Sequence, residues 1–120
     1  MENIASFFEK LYNDFNDRRI DTVISNMTEN VKWANGMEGG WVYGHDGVRE
    51  YWTRQFAMVH STVTPVKITQ ENDIVKIQVH QVVHDMNKNL LADEAVEHVF
   101  TMDGNKIAEF NIGEKTKTNG

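Results

Sequence analysis

The chain has 120 residues, 40% of them hydrophobic and 25% charged, with one proline, which is the composition of a single compact domain. It has no cysteine, so thiol nucleophiles, thiolate metal sites and disulfide frameworks are excluded. Its net charge of −6, with Lys and Arg scattered along the chain, argues against a nucleic-acid partner because phosphates would be repelled.

The first ten residues do not have the pattern of a signal peptide. They contain Glu2 and Glu9 and no basic start followed by an apolar run. No apolar stretch approaches the roughly 18 residues that a membrane span requires. The sequence therefore predicts a cytoplasmic protein that does not bind membranes.

The first half of the chain has helical periodicity. A broad apolar stripe predicts a helix over residues 3–15, a shorter helix follows over 21–27, and a third spans about 46–59. A short strand is predicted at 31–35. The segment 36–44 contains four glycines and is predicted to be a loop or a distorted strand. We expect it to fold over the open end of the sheet, and a phosphate-binding loop is the weaker alternative.

The second half has the two-residue period of strands. Runs rich in β-branched and aromatic residues predict strands at 63–70, 74–85, 90–102 and 106–112, connected as an antiparallel meander. Helices followed by strands predict an α+β fold in which the helices cover one face of a curved sheet. We expect a single domain over residues 1–113 and a polar tail over 114–120.

The predicted turns also set a strand register. A four-residue turn at 86–89 places Gln78 opposite Glu97 and His80 opposite Ala95. A two-residue turn at 103–104 places Glu97 opposite Phe110. These residues then share one sheet face, although an error of one residue in either turn would exchange parts of the two faces.

Three groups of residues are candidates for chemistry. His80 and His84 have the spacing of a helical zinc motif, but on a strand they lie about 13 Å apart, so no metal site is predicted. Aromatic residues concentrated between positions 33 and 56 indicate either a core or a pocket for a small molecule. Glu97 lies in mid-strand between apolar residues, where a charge is costly unless paired, so it is either an acid/base group or a structural or exposed carboxylate.

Three local sequences carry a resemblance to a known family: residues 8–33, Tyr43-Gly-His-Asp-Gly-Val-Arg-Glu-Tyr-Trp52, and His98-Val-Phe-Thr-Met-Asp-Gly-Asn-Lys-Ile107. They resemble the nuclear transport factor 2-like superfamily, in its SnoaL-like and ketosteroid-isomerase-like branch. The resemblance implies a cone of three helices on a strongly curved sheet (a cystatin-like α+β roll), a pocket inside the cone, and often a dimer through the outer sheet face.

The resemblance also suggests site positions. Isomerases of this kind use a tyrosine on the first helix, an aspartate base after the first strand and a second acid on a late strand; these positions match Leu11, Asn35 and Glu97 here, and a pocket tyrosine of the third helix matches Trp52. Because an asparagine cannot abstract a proton, isomerisation by that mechanism is not expected.

Two functional hypotheses follow. The first is a cofactor-free enzyme acting on a small, partly apolar substrate, with Glu97 as acid/base, His80 as its partner and Asn35 orienting the substrate. The pocket would be completed by five ligand-binding residues, namely Trp33, Trp52, Phe56, Gln78 and Phe110. The second hypothesis is a non-catalytic binding or dimerisation module. We expect a homodimer because Val75, Val79 and Phe100 belong to an apolar sheet face that we assign to the outside.

Overall fold

The computed structural model describes residues 3–36 and 38–117, with the side chains of residues 114–117 outside that description. The elements in chain order are α1 (Ile4–Asn16), α2 (Ile20–Ile24), β1 (Met27–Ala34), β2 (Trp41–Tyr43), α3 (Gly44–Met58), β3 (Val59–Glu71), β4 (Ile74–Asp85), β5 (Leu90–Asp103) and β6 (Lys106–Lys117). The α+β class is confirmed: three helices lie against one six-stranded sheet. None of the helices described is long and apolar enough to cross a membrane.

The sheet has the order β2-β1-β6-β5-β4-β3. All neighbouring strands are antiparallel except β1 and β6, which run parallel. The long strands β3 to β6 form the predicted meander. The first strand of the chain therefore joins the sheet through the last one.

Two strands, β1 and β6, are longer than the sequence predicted. β1 begins at Met27, four residues before the predicted start, and β6 continues to Lys117 rather than ending at residue 112. Residues 114–117 of the predicted tail thus belong to β6, and residues 118–120 lie outside the described part of the chain. Within the predicted glycine-rich loop, residues 41–43 form the short strand β2, paired with β1.

The helices bury their apolar stripes on one face of the sheet. Phe8 and Tyr12 of α1 contact Phe100 of β5, with ring centroids 4.7 and 6.5 Å apart. Four fully buried side chains of β4 and β5 lie on this same inner face: Val75, Ile77, Val79 and Val96. Burial of this aromatic and aliphatic surface is the main force that holds the helices on the sheet.

Irregular pairing bends the sheet. The register shifts in β3 between Pro65 and Lys67, and again between Val83 and His84 on β4. Between β5 and β6 it shifts twice, where Ala108 has no partner and where residues 113–114 face the single residue Glu97. Each extra residue increases the local twist and bends the strand, which curls the sheet around the helices.

Candidate functional site

A cavity of about 310 Å³ lies between the helices and the inner face of the sheet. Its walls come from α1, α2, α3 and from every strand except β2. The lining is mainly apolar and aromatic, with a few polar side chains among them. The lining residues are Leu11, Tyr12, Phe15, Val23, Trp33, Ala34, Gly36, Tyr51, Trp52, Gln55, Val59, Ser61, Val63, Gln81, Val83, Ala92, Glu94, Val96, His98, Phe100, Phe110 and Ile112.

One end of the cavity is built from stacked aromatic rings. Trp33 of β1 stacks on Phe110 of β6 at 4.2 Å and meets Trp52 of α3 edge-to-face at 5.2 Å. Phe100 closes the same cluster at 5.1 Å from Phe110. Rings locked by one another in this way provide a rigid apolar wall suited to a flat ligand.

Tyr12 and His98 form a buried hydrogen-bonded pair in the cavity wall. The Tyr12 hydroxyl lies 2.7 Å from His98 Nδ1, and the two rings are stacked with centroids 5.9 Å apart. Burial raises the pKa of Tyr12 well above its usual 10, because a phenolate would lose its hydration there. The phenol therefore keeps its proton throughout the neutral range and serves as a hydrogen-bond donor or acid rather than a base.

Arg18 supports the part of the cavity wall that contains Phe15 and Ser61. Its guanidinium lies 4.3 Å from the centroid of Phe56 and donates a hydrogen bond of 2.7 Å to the carbonyl of Ser61. Desolvation lowers the pKa of Arg18. The arginine thus ties the end of α1 to β3 and fixes the buried Ser61, which lines the cavity.

Three of the predicted ligand-binding residues line the cavity: Trp33, Trp52 and Phe110. Phe56 does not; it packs behind the wall, 5.4 Å from Phe15 and 6.4 Å from Trp52. The sequence left open whether the aromatic residues between positions 33 and 56 form a core or a pocket; Trp33, Tyr51 and Trp52 line the cavity, whereas Tyr43 is exposed.

The predicted placement of Glu97, His80 and Gln78 in the pocket is wrong. The register between β4 and β5 is as predicted, with Gln78 opposite Glu97 and His80 opposite Ala95. However, Ala92, Glu94, Val96 and His98 line the cavity, so the alternate residues of β5 point to the outer face. There, Gln78 donates to Glu97 at 3.4 Å, and His80 Nε2 lies 2.7 Å from Asp93.

A bulge explains part of this error. Asp103 pairs with Lys106, so the turn comprises residues 104–105, and the unpaired Ala108 then moves Phe110 to the inner face opposite Phe100. The expected pairing of Phe110 with Glu97 therefore does not occur. Sequence alone does not reveal a bulge, because Ala108 has no feature that separates it from an ordinary strand residue.

Asn35 lies beside the cavity and holds a loop. Its Nδ2 donates to Glu38 Oε1 at 3.2 Å, and its Oδ1 accepts from the Glu38 backbone N–H at 2.8 Å. Asn35 and Arg54 together lower the pKa of the Glu38 carboxyl, Asn35 by hydrogen bonding and Arg54 by hydrogen bonding and charge. The neighbours of Asn35, Ala34 and Gly36, line the cavity, whereas Asn35 itself does not.

His80 and His84 both lie on β4, as the sequence predicted. Within the described residues, no group of three or more His, Asp or Glu side chains is arranged to hold a metal ion. The expected lack of a bound metal stays a prediction for elemental analysis.

The residues that the sequence analysis missed are Tyr12, His98, Gln81 and Glu94. The first two lie one residue after the positions matched by resemblance, Leu11 and Glu97. Leu11 also lines the cavity, but Tyr12 brings the hydroxyl. Alternate residues of a strand share one face, so Glu94, Val96, His98 and Phe100 lie on the same side of β5. Assigning this side to the interior would have identified Glu94 and His98 as cavity residues.

Comparison with known proteins agrees with this architecture. The family model described as a SnoaL-like domain matches residues 8–110. The chain belongs to the SnoaL-like domain family. This places it in the nuclear transport factor 2-like superfamily that the sequence resembled.

Solved structures show the same fold at low sequence identity. A nuclear transport factor 2-like protein of unknown function from Burkholderia pseudomallei superposes with a TM-score of 0.83 at 19% identity, covering 94% of this chain and 91% of that one. TerC co-crystallised with polyporic acid gives 0.81 at 22%, covering 91% and 88%. An uncharacterised cystatin-fold protein from Novosphingobium aromaticivorans gives 0.79 at 19%, covering 95% and 100%. A search of curated proteins gave no match.

Proposed function

We propose that this SnoaL-like protein binds a small, flat, largely apolar molecule that carries an oxygen, and performs cofactor-free acid/base chemistry on it. The observation that carries the proposal is the Tyr12–His98 pair, buried in the wall of an otherwise aromatic cavity. Burying polar groups costs free energy of desolvation, and small-molecule pockets are mainly apolar with a few polar groups that contact the ligand. We infer that Tyr12 and His98 are such ligand contacts.

The chemistry follows from the donor. A phenol whose pKa is raised by burial can donate a hydrogen bond to a substrate carbonyl oxygen without losing its proton. When solvent water takes a proton from the carbon next to that carbonyl, negative charge develops on the oxygen, and a preorganised donor stabilises it. Because the hydroxyl has one proton, this role requires the His98 tautomer with hydrogen on Nδ1, whose N–H donates to the Tyr12 oxygen and leaves the phenol proton for the substrate. The role of acid thus passes from Glu97 to Tyr12, and the role of its polar partner passes from His80 to His98.

The binding half of the proposal is tested with 2-naphthol and naphthalene, which differ by one hydroxyl. Wild-type protein should bind 2-naphthol about fivefold more tightly, since one buried hydrogen bond contributes on the order of 1 kcal/mol. Tyr12→Phe should remove most of that difference in a calorimetric titration. Tyr43→Phe is the matched control, because Tyr43 is 61% exposed and lies on β2. Equal affinities for both compounds in the wild type would contradict the proposal.

The chemical half is tested by proton exchange. 2-Tetralone in D₂O loses protons next to its carbonyl to solvent and gains deuterons, through an enolate whose oxygen the pair would stabilise. NMR should show faster exchange with wild-type protein and a loss of about a hundredfold in Tyr12→Phe, the usual effect of removing one oxyanion donor. Exchange at the same rate in Tyr12→Phe and wild type would leave binding without catalysis.

Two further points remain proposals. We propose that the chain forms a homodimer through the outer sheet face, as the family resemblance implies. The original reason for this expectation is wrong, since the apolar face with Val75, Val79 and Phe100 is covered by the helices. The cytoplasm stays the predicted compartment, which localisation of a tagged protein would test.

A further inference from the structure

The cavity contains a second polar pair away from Tyr12 and His98. Glu94 of β5 and Gln81 of β4 face each other across the strands and both line the cavity. The Gln81 amide donates a hydrogen bond of 3.4 Å to Glu94 Oε2. We call Glu94 and Gln81 the second polar station.

The two polar pairs are separated by an apolar stretch. His98 is four residues from Glu94 along β5, about 13 Å at the rise of a strand, and both side chains point into the same cavity. Between them lies the inward-facing Val96, which is fully buried. Along β5 the cavity therefore has two polar groups separated by an apolar residue.

The two polar pairs also differ in exposure and in chemistry. His98 is buried, whereas Glu94 and Gln81 are partly exposed, so the second polar station lies toward solvent. Glu94 is the one acidic residue among the lining side chains that the structure describes, and that lining includes no Lys or Arg. Its carboxyl oxygens and the Gln81 carbonyl are acceptors, which select a donor on the ligand.

We propose that the ligand is two-ended: a rigid, flat body with an oxygen held at Tyr12 and His98, and a hydroxyl or amino group that donates to Glu94 at the other end. This inference rests on the proposed function, which supplies the first contact. It narrows the ligand class from any oxygenated aromatic to one with polar groups at opposite ends. Such a molecule would place its apolar middle against Val96, with the aromatic wall beside the end held at Tyr12 and His98.

The test compares 4,4′-dihydroxybiphenyl with 4-hydroxybiphenyl, which share one body and differ in the second hydroxyl. Calorimetry should give the dihydroxy compound about tenfold higher affinity for the wild type, because a second buried hydrogen bond is made. Glu94→Met keeps the length of the side chain and removes the acceptor, so the two compounds should then bind equally. Glu94→Gln, the milder variant, should lose part of the gain.

The control is Glu97→Met on the same strand. Glu97 accepts from Gln78 at 3.4 Å, the same chemistry as Glu94 and Gln81 but on the outer face. The Glu97→Met variant removes the same charge from β5 and should preserve the higher affinity for 4,4′-dihydroxybiphenyl. A variant that weakened both compounds equally would show that Glu94 merely shapes the cavity, and the second contact would be disproved.

The outcomes separate this inference from the proposed function. Equal binding of both compounds by the wild type overturns the second contact, even if Tyr12→Phe weakens each of them. Loss of the gain in Glu94→Met, with no effect of Tyr12→Phe on either compound, supports the second contact and overturns the role of Tyr12. Failure of both compounds to bind overturns both proposals.

Discussion

The proton on Tyr12 links the cavity to the stability of the whole fold. Tyr12 is 4% exposed, and burial raises its pKa well above 10. In the unfolded chain it would ionise near the ordinary value of about 10. Above that pH the unfolded state binds fewer protons than the folded state, so the free energy of unfolding falls as the pH rises toward the folded pKa.

We expect this contribution to be complete below pH 10 and to be lost above it, by at most about 1.4 kcal/mol per pH unit for one proton. Urea denaturation across this range should show a shallower decline in Tyr12→Phe than in the wild type. Tyr43→Phe, on the exposed strand β2, should keep the slope of the wild type. Identical slopes for wild type and Tyr12→Phe would rule out the linkage.

Helix α3 begins at a backbone conformation that requires glycine. Gly44 has φ +73°, and a Cβ there would lie 3.3 Å from the carbonyl oxygen of Glu29. Gly47, one turn later in the same helix, has only ordinary contacts at 3.8 Å around an added Cβ. Substitution by alanine should therefore change the stability of the fold in opposite directions at the two glycines.

Gly44→Ala should destabilise the fold by roughly 1–2 kcal/mol, the cost of a left-handed conformation for an L-residue. Gly47→Ala should stabilise it by up to about 1 kcal/mol, because alanine has the higher helix propensity. Thermal denaturation of the two single variants decides this. A stabilised Gly44→Ala, or a destabilised Gly47→Ala, would contradict the assignment of the helix start.

The strands show where sequence reasoning succeeds and where it ends. Periodicity located β3 to β6, and the four-residue turn after Asp85 gave the right register between β4 and β5. The pattern could not decide which face is inside, since polar residues occur on both. The position of Glu97 between apolar residues favoured the inner face, yet its side chain lies on the outer face. Glu94 is the acidic residue of β5 that lines the cavity.

The helices were easier to predict than the strands. The stripe of α1 points at the sheet whatever the exact strand register, so Phe8, Leu11 and Tyr12 were assigned to the interior with little ambiguity. In a strand, one unpaired residue exchanges the faces, as Ala108 does for Phe110. The interior face of a helix is thus easier to predict than that of a strand, although the position of a helical residue relative to the cavity is not, since Tyr12 was missed and Phe56 packs behind the wall.

The molecule as a whole presents an outer sheet face of mixed polarity. His80, Asp93 and Glu97 lie there together with the partly buried Ala95 and Val99. This face is what the proposed homodimer would bury. If it does, a large charged side chain at Ala95, opposite His80, should separate the protomers while leaving the cavity on the other face intact.

Light scattering at micromolar concentration is expected to give a dimeric mass for the wild type and a monomeric mass for Ala95→Arg, with 2-naphthol affinity unchanged. Asn87→Arg, in the exposed turn between β4 and β5, is the control and should stay dimeric. A monomeric wild type would disprove this interface.

The parallel pairing of β1 with β6 governs the order in which the fold can be completed. Trp33 is synthesised early, but its stacking partner Phe110 belongs to the strand that is made last of those described. Until β6 leaves the ribosome, the pair formed by β1 and β2 has no strand that connects it to β5. The aromatic wall then lacks Phe110. The complete cavity therefore exists only after β6 has been made, so a ligand cannot be fully enclosed before that point.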